Sequence, residues 1–507
     1  MPDATRIGVQ TGNELSLTLQ QAIEMALKNS NDIDESRNDV HISDFGLMGA
    51  RGVYDPLATS DNYYEKLTTP TASAIGGAVN GAVTTSRYFG SAGLSGYTPY
   101  QGGNYSASFN TSRATSSNTN SFLNPQFPST IIFSYAQPLW RNRSIDANRH
   151  AILIAKKNVD LSDSQLRQKA MDIIAGVEQA YWDLAYALRN LEVQIDTLKQ
   201  AREQLESNER QVAQGVLAPI EIVAARAQIS TYEQAVYSAQ ESITRAENAL
   251  KPLILSDRTS PEWMRPLTPV SPVDLDVPRM GLDVATAEAM KNRPEIEQLQ
   301  INADINKVDQ RFFKNQTKPQ IDLVGTYTGQ GLAGTETPAA ISPVTGLSRV
   351  PPGLVGGLPR SITQLGAFDF PSYHIGVNIS LPIGNRVARA NFGRALVQGD
   401  RIANQRAQTE QTVEADVRNA LQALRSAESR LASAIDGRVA ADELYTSEQR
   451  QFRAGTSTFY LVLQRQTALN VARGLEIQAR TTLDKAISTF QRSIGSTLTV
   501  NNVTVTK

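Results

Sequence analysis

The feature that most constrains this chain is that it contains one long pattern twice. Leu19, Ala22, Ala26, Lys28, Asn29 and Ile33 recur as Leu282, Ala285, Ala289, Lys291, Asn292 and Ile296 at a constant offset of 263 residues, with Asp32 meeting Glu295. Later pairs follow at slightly smaller offsets: Pro138 with Pro382, and Arg210…Gly215 with Arg450…Gly455. A self-similarity this long means two copies of one structural unit, so 507 residues need not make three or four separate domains.

Each copy reads as helix, strand region, long helix, turn and return helix. The first repeat spans 1–253: a first helix over about Thr18 to Gly49, a strand region over about 54–140, a long helix over 146–214 and a return helix over 219–253. A Pro-rich segment, 254–281, links it to the second repeat, 282–495. That repeat has a first helix to about Phe313, a strand region over about 318–382, a long helix over 386–453 and a return helix over 457–494. A polar, β-branched tail, 496–507, closes the chain. Ile173, Val177, Ala180, Leu184, Leu188, Leu191, Ile195 and Leu198 keep a 3–4 spacing over several heptads, which predicts coiled-coil-type packing. Gly215 and Gly455 end the long helices, and Pro219 is placed to start the next one. At 1.5 Å per residue, the 69 residues of 146–214 reach roughly 100 Å, which matches a return helix and a first helix stacked end to end. The expectation is an elongated molecule.

The strand regions differ from the rest in composition. Between Tyr54 and Trp140 lie 14 of the 33 aromatic residues, about two and a half times an even share. Expected strands are Leu57–Leu67, Tyr105–Arg113, Thr130–Leu139, Gln320–Gly329 and Tyr373–Leu381. The last places Ile375, Val377, Ile379 and Leu381 on one face, an alternation that suits either a membrane strand or a half-buried soluble one. The Gly-, Ser-, Thr- and Pro-rich stretches Thr68–Asn104 and Gln330–Phe370 are expected to be long loops, with Gly102-Gly103 able to turn an additional hairpin.

Composition closes several functional classes. Lys plus Arg is 49 against 50 for Asp plus Glu, so there is no basic excess for nucleic acid. The absence of cysteine removes disulfides, thiolate metal sites and Cys nucleophiles, and three histidines, His41, His150 and His374, are too few for a His-rich metal site. His150 and His374 read as structural polar residues. No phosphate loop, His-Glu-x-x-His, Gly-x-Ser-x-Gly elbow or Asp-rich calcium loop occurs, so neither an enzyme, a cofactor nor a metal is expected. No stretch of about 18 apolar residues exists to make a membrane helix, which leaves a β-barrel open. The opening Met-Pro-Asp-Ala-Thr-Arg lacks an apolar core, so read literally it carries no secretory signal; a chain trimmed behind its leader reads the same.

The order of these features resembles the TolC-like outer-membrane efflux protein family over nearly the whole length. The resemblance rests on the duplicated opening (Ala22 to Asn29, Ala285 to Asn292), on the passages Gln137-Pro138-Leu139 and Leu381-Pro382-Ile383, and on the breaks Arg210–Gly215 and Arg450–Gly455. It implies a mainly α fold with a β membrane region. In it a homotrimeric outer-membrane β-barrel, four strands from each subunit, continues as a long periplasmic α-helical coiled-coil barrel. It also implies a passive exit channel of a tripartite efflux or type I secretion system, embedded in outer-membrane lipid. Its partners would be a periplasmic adaptor protein and an inner-membrane transporter. By resemblance the adaptor meets Gly215, Val216, Leu217, Ala218, Gly455, Thr456, Ser457 and Thr458. The family's gate latch, an acidic residue held by an aromatic hydroxyl, falls on Glu221 and Phe452, and Phe452 has no hydroxyl. The family's lumen-facing aspartates fall on Leu461 and Gln464, so an apolar and amide constriction replaces an acidic ring; packing of Leu461 on a neighbouring helix is the alternative. The rival reading of the whole chain is a periplasmic coiled-coil scaffold or adaptor without a channel.

Overall fold

The computed structural model describes residues 9, 13–72, 76–78, 80–271 and 277–505. The helices are α1 (Leu19–Asn29), α2 (Asn31–Arg51), α3 (Ala147–Ala213), α4 (Ile220–Ile254), α5 (Leu282–Asn292), α6 (Pro294–Gln316), α7 (Leu358–Ala367), α8 (Arg386–Arg453), α9 (Phe459–Ser493) and α10 (Thr497–Val500). The strands are β1 (Leu15–Leu17), β2 (Leu57–Pro70), β3 (Ala82–Tyr97), β4 (Asn104–Ser116), β5 (Leu123–Pro138), β6 (Leu267–Pro269), β7 (Gln320–Glu336) and β8 (Phe370–Ser380). They divide between two compact units, one of residues up to 43, 159–302 and from 402 onward, the other of residues 44–158 and 303–401.

In the first unit the duplicated residues have duplicated jobs. Ala22, Ile23, Ala26 and Ile33 are buried against Ile174, Val177, Tyr181 and Leu184 of α3 and Ile243, Leu250 and Ile254 of α4. Ala285, Ala289 and Ile296 are buried in the same way against Val413, Val417, Leu421 and Leu424 of α8 and Leu483, Ile487 and Phe490 of α9. Small alanines at the contact let helix axes approach closely, which is why the repeat retains alanine on this face. The first helix of each repeat is not continuous, as expected from sequence, but broken. Ser30 (ψ 120°) separates α1 from α2, and Arg293 (ψ 125°) separates α5 from α6. At Arg293 the following proline disfavours helical backbone. At Ser30 no proline acts; its carbonyl accepts from Ile33 and Asp34, so the second helix starts afresh there.

The linking segment is pinned rather than loose. β6 pairs in parallel with β1, and the Leu267 amide donates 3.0 Å to Glu247 Oε1. Lys251 Nζ donates 2.7 Å to the Trp263 carbonyl and lies 3.9 Å from Glu247, both side chains being almost wholly buried. Part of the segment, 272–276, lies outside the described residues, as do 1–8 at the start of the chain.

The second unit carries one antiparallel sheet in the order β2-β3-β4-β5-β7-β8. Two expectations are corrected here. Thr68–Asn104 is not a loop: it holds the end of β2, all of β3 and a turn at Gln101 and Gly102, both with positive φ, leading into β4. The sheet therefore has six strands among the described residues instead of the four the resemblance implies. The other stretch, Gln330–Phe370, holds the last residues of β7 and the helix α7. The turn falls at Gly102-Gly103, where the sequence offers an additional hairpin; the full length of β3 is hidden because it uses glycine, serine and threonine where a soluble strand uses Val or Ile. Gly331 shows what the small residues do: a Cβ there would stand 2.2 Å from the Ser361 carbonyl of α7. Past the end of β8, Gln364 of α7 exchanges hydrogen bonds with the Leu332 amide and carbonyl (2.8 and 3.1 Å), covering an otherwise open stretch of β7.

Registers assign every strand residue to a face. One face gathers Ser95, Ser106, Ser134, Thr326 and His374 in a single row, with Ser108, Asn110 and Thr130 nearby. The other gathers Tyr88, Leu94, Tyr105, Phe109, Phe133, Tyr327, Tyr373 and Ile375. The division is mainly polar against aromatic and aliphatic along β4, β5, β7 and β8, the pattern of strands with lipid on one side and water on the other, while a stacked pair, Tyr63–Phe89 (4.8 Å), sits on the polar face of β2 and β3. His150 is structural, as its place in the sequence suggested: Nε2 lies 2.7 Å from Asp309 and the ring stacks on Phe312 at 4.3 Å.

Candidate docking tip and gate

The helix-breaking turns fold alike residue for residue. Where α3 ends, the Gly215 amide donates to the Val212 carbonyl (3.0 Å) and the Val216 amide to the Gln211 carbonyl (2.9 Å). Where α8 ends, the Gly455 amide donates to Phe452 (3.0 Å) and the Thr456 amide to Gln451 (3.0 Å). This is the Schellman pattern, in which a left-handed residue just beyond the helix lets two amides reach back to orphan carbonyls. The left-handed residues are Gly215 (φ 74°) and Gly455 (φ 76°), and a Cβ on either would meet nothing within 4 Å. Glycine is therefore required by backbone conformation, and the space around it is open.

Beyond the glycines the two turns diverge. Gly215, Val216 and Ala218 are exposed and Leu217 half-buried; α4 then starts behind Pro219 with no side-chain cap. Val216, Ile220 and Val223 together leave an apolar edge, 60–73% exposed. In the second turn Gly455, Thr456 and Thr458 are exposed and Ser457 is half-buried. Thr458 caps α9 by accepting from the Leu461 amide at 3.5 Å, and Thr456 Oγ1 donates to the Gln451 carbonyl at 3.1 Å. Ser457 Oγ donates to Glu448, whose second oxygen lies 3.7 Å from Arg465 Nε. Sequence reasoning misses that Ser457–Glu448–Arg465 group. Only the Thr-Ser-Thr cluster signals a cap, and a partner nine residues back leaves no periodic trace.

The four gate positions end up apart in role. Glu221 sits half-buried in the first turn of α4. Phe452, half-buried, packs at a tilt of 51° against buried Phe459, ring centroids 6.2 Å apart across the turn, and among the described residues no bond joins it to Glu221. The nearest aromatic hydroxyl on α8 is two turns earlier, at Tyr445, which receives a 2.7 Å hydrogen bond from Gln449. Burial holds its phenol above the ordinary tyrosine range. Tyr445, Gln449, Phe452 and Arg453 line a polar groove with Gln204 and Arg210 of α3. Leu461 is half-buried in the first turn of α9; Gln464 is exposed and lines a shallow groove with Tyr460, Thr467 and Val471. Behind this end the helices are tied across by Arg202–Glu233 (2.7 Å), Thr197–Asn470 (3.0 Å) and Arg438–Glu476 (2.8 Å). Among the described residues no group of acidic or histidine side chains could hold a metal.

Comparison with known proteins agrees with this geometry. No curated protein sequence matches the chain. Among solved structures, the outer-membrane channel OprN aligns with a TM-score of 0.64 at 17% identity, covering 98% of this chain and 96% of that one. CmeC of Campylobacter jejuni aligns at 0.62 and 14%, covering 98% and 93%. The open state of MtrE from Neisseria gonorrhoeae aligns at 0.62 and 16%, covering 95% and 89%. At such identities the likeness is one of fold. A profile of outer membrane efflux proteins, in contrast, matches the sequence itself over residues 104–254 and 286–496, well over half of the chain. With β4, β5, β7 and β8, both long helices and both glycine turns inside those matches, the chain belongs to the outer membrane efflux protein family.

Proposed function

We propose that three copies of this chain form a passive exit duct. Its helical end receives a periplasmic adaptor and, through it, an inner-membrane transporter that supplies the energy. The observation that carries this reading is the twin turn. Two glycine-ended helices break in the same backbone geometry and present exposed Gly215, Val216, Ala218, Gly455, Thr456 and Thr458, with Leu217 and Ser457 half-buried between them, a surface suited to close approach by a partner's helical hairpins. Pooling of copies has its own support in apolar residues left exposed on the return and long helices: Val223 and Tyr237 of α4, Leu444 of α8 and Tyr460, Val471 and Leu475 of α9. Leu461 and Gln464 are read as the constriction, and opening as separation of the tip helices. Efflux and type I secretion both fit such a duct, and no residue arrangement supports catalysis by it.

The test is the native mass of the membrane-extracted protein. A detergent-dependent complex near three times 55.2 kDa is expected. A monomer or dimer that needs no detergent would overturn the duct in favour of a periplasmic coiled-coil scaffold.

A further inference from the structure

From the sheet we infer that the trimeric wall in the outer membrane has eighteen strands, not twelve, and so encloses a markedly wider outer lumen. The inference rests on the trimeric channel reading above and goes beyond it.

The added strands are β3 and β4 or, counted from the matched region, β2 and β3, since the family profile begins at Asn104, where β4 starts. None of these strands is an appendage. β3 pairs with β2 over all 14 residues of the latter, β4 pairs with β3 over 13, and β4 continues into β5. β4 alternates Tyr105, Ala107 and Phe109 with Ser106, Ser108 and Asn110, and at 13 residues is long enough to cross a bilayer. On β3, Tyr88, Ala92 and Leu94 fall on the aromatic face, and Ser91 and Ser95 on the polar one, together with Phe89 and Tyr97. A hairpin folded over the mouth, with water on both sides, has no use for that division.

The sheet ends also fit. β2 and β8 are its open edges, and every neighbouring pair between them is antiparallel. With an even number of strands, β2 and β8 run in opposite directions. β8 of one copy therefore continues the antiparallel ladder onto β2 of the next. Lipid tolerates no open edge, so the occupant of each edge is a second copy of this chain. With strands about 4.8 Å apart and tilted about 40°, eighteen of them close at a backbone diameter of about 36 Å, against about 24 Å for twelve. The lumen cross-section is then about twofold larger, and its lining of serine, threonine and asparagine, with Asp61, Glu65, Arg87 and Asp322 on the same face, admits bulky hydrophilic cargo.

The test uses the absence of native cysteine. Single cysteines at Ser106, Ser108 and Asn110 should react with a membrane-impermeant maleimide in proteoliposomes at least tenfold faster than cysteines at Ala107 and Phe109. Paired cysteines, one at Thr59, Asp61 or Tyr63 of β2 and one at Ser372 or His374 of β8, should give oxidised, covalently joined dimers and trimers in one register. Uniform labelling along β4 overturns the eighteen-stranded wall, and so does cross-linking of β8 to β4 in place of β2. Either result leaves a trimer in detergent and the channel reading intact. A detergent-independent monomer instead removes both.

Discussion

Ala26 and Ala289 occupy the same place in the two cores, each with no exposed surface. A larger side chain there must push a first helix away from a long one. Ala26→Leu and Ala289→Leu should each cost about 1–3 kcal/mol of stability, read from denaturant midpoints of the detergent-solubilised protein. Equal effects at the two sites would express the duplication in energy. Glu178 of α3 is a different case. It is buried, accepts hydrogen bonds from Ser488 and from Asn501 (3.0 Å), and burial raises its carboxyl above the usual glutamate range. A group whose folded value is raised contributes stability that is fully present below its unfolded value and lost as pH rises through the folded one. Glu178→Gln, which keeps the shape and hydrogen-bonding reach, should therefore match or exceed the parent in melting temperature at neutral pH, and the difference should shrink near pH 4. A variant less stable than the parent at pH 7 but its equal at pH 4 would show that the charge itself is required. At Lys251, Lys251→Met leaves Glu247 buried without its cation and should destabilise by about 3–5 kcal/mol, with protease cleavage appearing first in the segment after Ile254.

At the level of elements, the tip turns and the sheet are governed by different rules. A left-handed backbone costs an L-residue with a side chain roughly 1–2 kcal/mol, and both turn glycines have empty space around them. Gly455→Ala should thus loosen the turn locally by about that amount, seen as faster amide exchange at Thr456 and Gly455 with little change in global melting. The constriction is tested at Leu461. If Leu461 faces the lumen, Leu461→Asp places one carboxylate per copy at the same height and should raise single-channel cation selectivity severalfold; unchanged selectivity with a loosened tip would mean that Leu461 packs on a neighbouring helix. The sheet shows why elements of this kind are hard to read. Leucine and valine at heptad spacing announce α3, whereas β3, with its Gly-Ser-Ala-Gly run at 90–93, offers no aliphatic alternation. The strand is held by two neighbours in register, not by its own propensity.

For the whole molecule, the duplication, the long helices, the glycine breaks and the absence of catalytic and metal motifs were all determined by sequence. Each is local or periodic: a heptad needs only its own neighbours, a helix end only one glycine, and a repeat only itself. What only the tertiary structure decided is whatever depends on partners distant in the chain. Strand membership of 82–97 requires β2 and β4, and the break at Ser30 shows in sequence only as polar residues that a helix end can use. The Ser457–Glu448–Arg465 group and the tilted Phe452–Phe459 pair join residues across a turn, where no single period predicts contact. Burial of Glu178 beside Ser488 and Asn501 brings together positions more than 300 residues apart. Sequence patterns record the forces a segment meets on its own axis. The number of strands in the sheet, and with it the width of what it can enclose, is set by hydrogen bonds between segments, and these leave almost no mark on the composition of either one.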